Sequence, residues 1–419
     1  MDQVLEALVD ARARTHELAL DLDDAQWMGP RLAIVNPMRW EIGHIAWFQE
    51  AWVLRHVRGR PPLRADGDAL YDSAKVAHDT RWDLPLPGRD ATLAYMREVL
   101  ERSLEAGRDG RDPYFHALAV FHEDMHGEAL AYTRQTLSYP EPRVGVRPAA
   151  GIPAKSGPWP GDAEVPGGEF LLGAREGTHP FVFDNEKWAH KVKVPSFSIA
   201  RAPVTNEEFA RFVDGRGYER DDFWSDEGRR WRTKVDARAP VYWEKRAGQW
   251  CMRRYDRVEA LPAHHPVCHV SWYEADAYCR WAGRRLPTEP EWELAATSYD
   301  GRPFPWGDAP ATSAHANLDG RAGGTVDVAA HPEGDSPYGC RQMFGNTWEW
   351  TATRFAPYPA FVVDPYAEYS APWFDTPHMV LRGGCWATRS RLLRNTWRNF
   401  YAPDRRDVFA GFRTSAPVG

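Results

Sequence analysis

Between residues 138 and 168, proline stands at positions 140, 142, 148, 153, 158, 160 and 166, with glycines among them. Proline fixes φ and has no amide hydrogen, so no regular helix runs through such a stretch. It reads as an extended linker that divides the chain into two unlike halves. A length of 419 residues fits two domains, because single cores stop growing at roughly 250–300 residues. Residues 1–137 and 169–419 are therefore taken as separate domains.

The first half predicts four helices. Val4, Leu5, Leu8, Val9 and Leu18 recur at helical spacing over residues 2–22. The second helix opens at Asn36, a candidate cap, with Pro37 at the first helical position. It carries Trp40, His44, Trp47, Phe48 and Ala51 on one stripe. The third begins near Asp90, another candidate cap, with Leu93, Met96, Val99 and Leu100 inward. The fourth spans residues 113–137, with Phe115, Leu118, His122, Met125, His126 and Ala129 close to one face. Four amphipathic helices of this length suggest a bundle. The connection over 57–88 is too long for a tight turn, and connections of that length are often functional.

The second half predicts an α+β domain. Residues 170–172, 191–194 and 197–200 read as short strands. Helices are expected over 206–213 behind Thr205 and over 272–282 behind Ser271. Fifteen of the 20 tryptophans lie at or after Trp159, where few long elements exist and large aromatics must pin loops.

Composition excludes several classes. With 52 basic against 59 acidic residues, a general nucleic-acid binder is not expected. No run approaches the ~20 apolar residues of a membrane span. The opening residues lack the basic end and apolar run of a signal peptide, so a cytoplasmic protein is expected. The five cysteines all lie at or beyond Cys251 with no C-x-x-C spacing, which indicates neither a zinc ribbon nor a disulfide framework.

The strongest chemical signal is His122-Glu123-Asp124-Met125-His126. Two histidines at i and i+4 share a helix face at a distance suited to one metal. The string also satisfies H-E-x-x-H, which leaves a zinc hydrolase open. Tyr132 and Ala129 stand where a metzincin needs its third His and its Gly. Both histidines also fit ordinary, partly exposed helix positions. His44 lies on the inward stripe of the second helix, where a buried histidine without a ligand role is equally natural. A bundle gathers metal ligands from facing helices, so His44 with His122 and His126 forms a candidate three-His face with open positions. Such neutral ligands suit Fe(II), Zn or Cu.

Asn36-Pro37 and Gly43-His44-Ile45-Ala46-Trp47-Phe48, followed by His122-Glu123-x-x-His126, resemble the DinB-like domain of EgtB-type enzymes. These are non-haem iron enzymes that use O₂ to join a sulfur donor to hercynine, the trimethylated betaine of histidine. In the second half several strings resemble the formylglycine-generating-enzyme fold, a C-type-lectin-like domain. They are Phe183-Asp184-Asn185-Glu186-Lys187, Arg285-Leu286-Pro287-Thr288-Glu289-Pro290-Glu291-Trp292-Glu293, Gly345-Asn346-Thr347-Trp348-Glu349-Trp350 and Leu381-Arg382-Gly383-Gly384-Cys385-Trp386. The cysteine pair of formylglycine generation is replaced near Thr388 and Asn395, so that activity is not expected.

The resemblance implies roles residue by residue. His44, His122 and His126 match the Fe(II) ligands. Tyr366 matches the catalytic tyrosine that delivers a proton, or a proton and an electron, during oxygen reduction. Tyr369 matches a second pocket tyrosine. Asn399 and Phe400 match positions that hold hercynine, whose trimethylammonium group suits aromatic faces. Arg81 and Arg405 match arginines that bind the carboxylates of γ-glutamylcysteine. Without the resemblance, the tyrosines serve equally as packing residues and each arginine as half of a surface ion pair.

Three departures bear on the donor. Tyr401 replaces an acidic residue, Asp72-Ser73-Ala74-Lys75 replaces Asn-Ser-Tyr-Tyr, and Met125 replaces a Gln. The first two remove recognition of an amino-acid zwitterion. Leu70-Tyr71-Asp72-Ser73 and Val76-Ala77-His78-Asp79-Thr80-Arg81-Trp82 resemble the SenA branch, selenoneine synthases that use seleno-N-acetylglucosamine. The expectation is therefore C–Se bond formation between hercynine and a selenosugar. A C–S enzyme using cysteine or γ-glutamylcysteine, the zinc hydrolase, and a non-catalytic lectin-like binding module stand as alternatives.

Overall fold

The computed structural model describes residues 1–145 and 157–417. The chain divides into two compact units, Met1–Gly145 and Val146–Gly419.

The helices of the first unit are α1 (Asp2–Ala19), α2 (Asp24–Met28), α3 (Met38–Gln49), α4 (Gly67–Tyr71), α5 (Arg89–Gly107) and α6 (Pro113–Thr136). The long members α1, α3, α5 and α6 carry the periodicity read from the sequence, except that Val9 of α1 faces solvent, off the Leu8–Leu18 stripe. Leu8, Ala106, Ala119 and Val120 of α1, α5 and α6 meet Val53 and Leu54, just beyond α3, in an apolar core. α1 stops short of residue 22, where the Trp27 indole donates to the Ala19 carbonyl at 2.9 Å. Asp23 then starts α2 in a capping box with Gln26.

Neither expected cap forms. Pro37 takes the cap position of α3 without a side-chain bond. The Asn36 amide is turned elsewhere, accepting from Arg81 Nη1 at 2.6 Å and donating to Glu41 Oε2 at 3.4 Å. Asp90 lies inside the first turn of α5, and Gly88 holds the cap position. In both places the side chain suits a cap, but tertiary contacts or register decide otherwise.

Beyond α3 the chain continues as a π-helical turn, Glu50–His56. The 57–88 connection is anchored. Asp68 of α4 accepts from Arg55 at 2.6 and 2.9 Å and from the Trp47 indole at 2.7 Å. One buried guanidinium joins the four long helices: Arg12 of α1 donates to Glu123 Oε1 of α6 at 2.9 Å and to Gln49 Oε1 of α3 at 2.7 Å. It also donates to the Met96 carbonyl of α5.

The second unit opens with β1 (Asp162–Val165), β2 (Gly168–Leu172), β3 (His190–Val194) and β4 (Phe197–Ala200), paired antiparallel as β1–β4 and β2–β3. The stretch expected to be linker is thus not linker throughout. Ala163 and Val165 are buried while Glu164 is exposed, the alternation of a half-buried strand. Of that stretch, residues 146–156 lie outside the described residues.

Next come α7 (Asn206–Asp214), α8 (Asp226–Lys234) and a meander of β5 (Trp243–Arg246), β6 (Gln249–Arg254) and β7 (Arg257–Ala260). α9 (Trp272–Trp281) and α10 (Glu289–Thr297) follow. The main sheet has the order β10 (Asn399–Tyr401), β9 (Met379–Arg382), β8 (Trp348–Arg354), β11 (Ala410–Gly411). Thr205, Ser271 and Thr288 cap α7, α9 and α10, each in a capping box with the Glu three residues on.

The glutamates of the Arg285–Glu293 string are committed to the core. Glu289 and Glu293 pair with Arg382 at 2.7 and 2.6 Å, and Glu289 also pairs with Arg398 at 2.8 Å. Glu291 caps α10 and pairs with Arg285 at 2.7 Å.

Candidate metal centre

His44 lies on α3, and His122 and His126 lie one turn apart on α6. One ligand atom of each falls within 4.8 Å of the others. Hydrogen bonds decide which nitrogens converge. The Tyr71 carbonyl accepts from His44 Nδ1 at 2.8 Å, and Glu41 Oε1 accepts from His126 Nδ1 at 2.8 Å. With both Nδ1 atoms donating, both Nε2 atoms keep a lone pair for a metal. His122 Nε2 lies 3.2 Å from His126 Nε2. Metal–nitrogen bonds of about 2.0–2.1 Å bring two ligands of one ion to roughly this separation.

Burial holds His44 and His122 well below the ordinary imidazole pKa, and the neighbouring His126 acts in the same direction. Both are therefore neutral at pH 7, the form that ligates. Trp40 stacks on His44 at 4.8 Å and Phe48 on His122 at 3.5 Å, which gives the centre an aromatic wall. Gly43 has a specific reason. A Cβ there would lie 2.3 Å from the Tyr71 ring, so only glycine lets Tyr71 approach and deliver its carbonyl to His44. The three histidines thus fit a metal ion in chemistry, charge and spacing.

Arg81 lies over Trp40, its guanidinium carbon 3.7 Å from the ring centroid. It donates to Asn36 Oδ1 at 2.6 Å and to the Val76 carbonyl at 3.3 Å, and its Nε has no hydrogen-bond partner. Among the described residues no carboxylate forms an ion pair with it, although only 8% of the residue is exposed. Burial pushes its pKa down to about 10, with Glu41 acting the other way. Met125 is half-buried, one position before His126.

The structure divides the remaining predicted residues into two groups. Tyr366, Tyr369 and Phe400 form an aromatic chain, with centroids 6.0 Å apart for the first pair and 6.2 Å for the second. Burial pushes the Tyr369 phenol well up. Asn399 and Tyr401 flank Phe400 on β10, so strand alternation turns them to the opposite face. The Asn399 Oδ1 accepts from the Phe400 amide at 2.8 Å. Arg405 lies over the Tyr401 ring at 5.2 Å and makes a two-point ion pair with Asp407, at 2.6 Å on each arm.

Two family models match the chain: the sulfatase-modifying factor enzyme 1-like domain over residues 150–416 and the DinB superfamily over residues 7–130. Hercynine oxygenase of Mycolicibacterium smegmatis is 37% identical, covering 100% of this chain and 99% of that protein. The chain belongs to the hercynine oxygenase family. The Mycobacterium tuberculosis member is 38% identical over 97% of this chain and 96% of its own. Among solved structures, PvdO of Pseudomonas aeruginosa aligns with 61% of this chain and 94% of its own, at 22% identity and TM-score 0.45. The protein is thus an oxidoreductase with a DinB-like helical unit followed by a formylglycine-generating-enzyme-like unit.

Within this family the H-E-x-x-H string has another meaning. Glu123 turns away from the histidines and accepts from Arg12 Nε at 2.9 Å and Thr15 Oγ1 at 2.8 Å, with 2% of its side chain exposed. That engagement leaves the zinc-hydrolase reading without its general base. Sequence reasoning missed Glu41, which orients His126, although it stands three residues before His44 on the same helix. Glu41→Gln should weaken metal binding by about 10–100-fold, as loss of a carboxylate behind a ligating histidine does. Competition with a chelator measures this, and unchanged affinity would remove Glu41 from the centre.

Proposed function

We propose that the protein is an O₂-dependent non-haem Fe(II) enzyme that joins hercynine to the selenium of seleno-N-acetylglucosamine. His44, His122 and His126 hold the iron, which supplies the redox chemistry with O₂. In the overall balance the selenol hydrogen and the hydrogen on the imidazole carbon between the nitrogens leave as water with one oxygen atom. The carbon–selenium bond forms, and the second oxygen ends on selenium.

The chain's own residues bind and orient. Arg81 meets a substrate carboxylate, Phe400 offers its face to the trimethylammonium group, and Tyr369, Asn399, Tyr401, Arg405 and Met125 shape the remaining contacts. The Tyr366 hydroxyl donates the proton that oxygen reduction requires. Full-length identity to named hercynine oxygenases supports the hercynine half of this reading.

The choice of donor is carried by the Arg405–Asp407 ion pair, because it satisfies a guanidinium that a carboxylate-bearing donor would need. Two further facts agree with it. Tyr401 offers no charge to an ammonium, and Asp72 and Lys75 pair with each other at 2.6 Å. γ-Glutamylcysteine brings two carboxylates and an ammonium, whereas a selenosugar brings none. Among the described residues, Arg81 forms no ion pair with a carboxylate and stays open to a substrate carboxylate.

A competition assay read by mass spectrometry tests this, with hercynine, the selenosugar, cysteine and γ-glutamylcysteine present together. The selenosugar should win by at least about tenfold in kcat/KM, or ~1.4 kcal/mol. A preference for γ-glutamylcysteine would refute the donor while leaving the hercynine chemistry standing.

A further inference from the structure

Tyr366 and Tyr369 stand on the long connection between β8 and β9, around the single-turn 3₁₀ segments Ala367–Tyr369 and Ala371–Trp373. Such turns have little internal bonding, so the phenols are placed by what the connection rests on. It rests on the string Phe183–Lys187. Phe183 stacks on Tyr369 at 4.2 Å with rings 21° apart. Lys187 Nζ reaches both carboxylate oxygens of Asp364 at 2.7 Å. Between these, Ser370 Oγ donates to Asp184 Oδ1 at 2.5 Å, with 0% of Ser370 and 1% of Asp184 exposed.

The same string also holds the segment that leads into β10. Glu186 accepts from Arg394 Nε and Thr396 Oγ1, each at 2.7 Å, and the Asn185 carbonyl accepts from Arg398 Nη1 at 2.9 Å. The Trp397 indole, between these anchors, reaches the Tyr369 hydroxyl at 3.4 Å. Five consecutive residues therefore fix both the tyrosine turn and the approach to Phe400.

We propose that Asp184 is a positioning residue for the reaction: through Ser370 it fixes the turn after Tyr366 and hence the place of the Tyr366 hydroxyl. Besides Ser370, the backbone amides of Asp364 and Asn185 act on the Asp184 carboxylate, so it gathers contacts from both ends of the tyrosine-bearing connection and from its own string. Burial also raises the Asp184 carboxyl, which the Ser370 bond opposes. The proposal rests on the reading of Tyr366 as the proton donor.

The test uses the full-length, iron-loaded enzyme and the variants Ser370→Ala, Asp184→Asn, Tyr366→Phe and Ser370→Ala with Tyr366→Phe. A hydroxyl displaced by about 1 Å costs roughly a hundredfold. Ser370→Ala should therefore lower kcat by that order, with both KM values within about twofold. The solvent deuterium isotope effect on kcat should rise, because proton delivery becomes slower. Asp184→Asn keeps an acceptor for Ser370 and should retain most of the rate that Ser370→Ala loses.

In the Tyr366→Phe background, Ser370→Ala should cost nothing further, since the two act as one unit. Additive losses, or an unchanged isotope effect, would overturn the proposal and leave the Tyr366 reading intact. Normal turnover by Tyr366→Phe would sink that reading and the proposal with it. Ser370→Cys, which keeps the volume but weakens the donor, is measured alongside in case the alanine variant fails to fold.

Discussion

His122→Ala should lose bound iron and turnover together. The substitution leaves His44 and His126 as the two remaining candidate ligands and removes the Nε2 that lies 3.2 Å from its neighbour on α6. Losing a ligand should exceed the ~10–100-fold cost of losing a residue behind one. Alanine is the best helix former, so α6 should survive, and far-ultraviolet circular dichroism separates this outcome from unfolding. The ring is also stacked on Phe48 at 3.5 Å, so a modest loss of stability from the cavity is expected. Iron analysis of anaerobically prepared protein decides the matter. Iron held at full stoichiometry with normal turnover would remove His122 from the centre. Zinc at full occupancy with no O₂ uptake in the unaltered protein would sink the iron assignment altogether.

The parts of this site that a sequence reveals are those set by local period. His122 and His126 are four residues apart on one helix, and the 3.6-residue repeat alone places them together. His44 is legible through its inward stripe, once a bundle is assumed. The partners that orient these rings are not legible, because they are fixed by contacts across the fold. The Tyr71 carbonyl lies 27 residues from His44, and Glu41 lies 85 from His126. The same physics explains the failed cap at Asn36, since Arg81 claims the amide oxygen that would otherwise have been free.

Proline density overstated the linker, because a four-residue strand needs only its own alternation and tolerates prolines outside it. α10 shows the converse. Its Thr288–Glu291 box announces a helix start that the family resemblance of the string does not by itself supply. On β10, strand alternation turns Asn399 and Phe400 to opposite faces, an orientation that the matched motif does not itself reveal.

Glu123→Ala should destabilise the helical unit by about 3–5 kcal/mol, the cost of leaving a buried charge without its partner. The charge left behind is that of Arg12, 3% exposed and bonded to α3 and α5 as well as to α6. Domains are stable by only about 5–15 kcal/mol, so much of the unit's margin is at stake. Urea unfolding followed at 222 nm reports the loss, because long helices dominate that signal. Glu123→Gln keeps an acceptor for Thr15 and Arg12 and should lose less. Replacing both members of the pair with apolar residues, as in Arg12→Met with Glu123→Leu, should recover part of the loss, since no lone charge remains. Turnover separates the two meanings of the string. As a structural anchor, Glu123 can become Gln with turnover per bound iron within a few-fold of normal. As the general base of a hydrolase, it could not, and a collapse of activity in a folded, metal-loaded Glu123→Gln protein would restore the hydrolase reading.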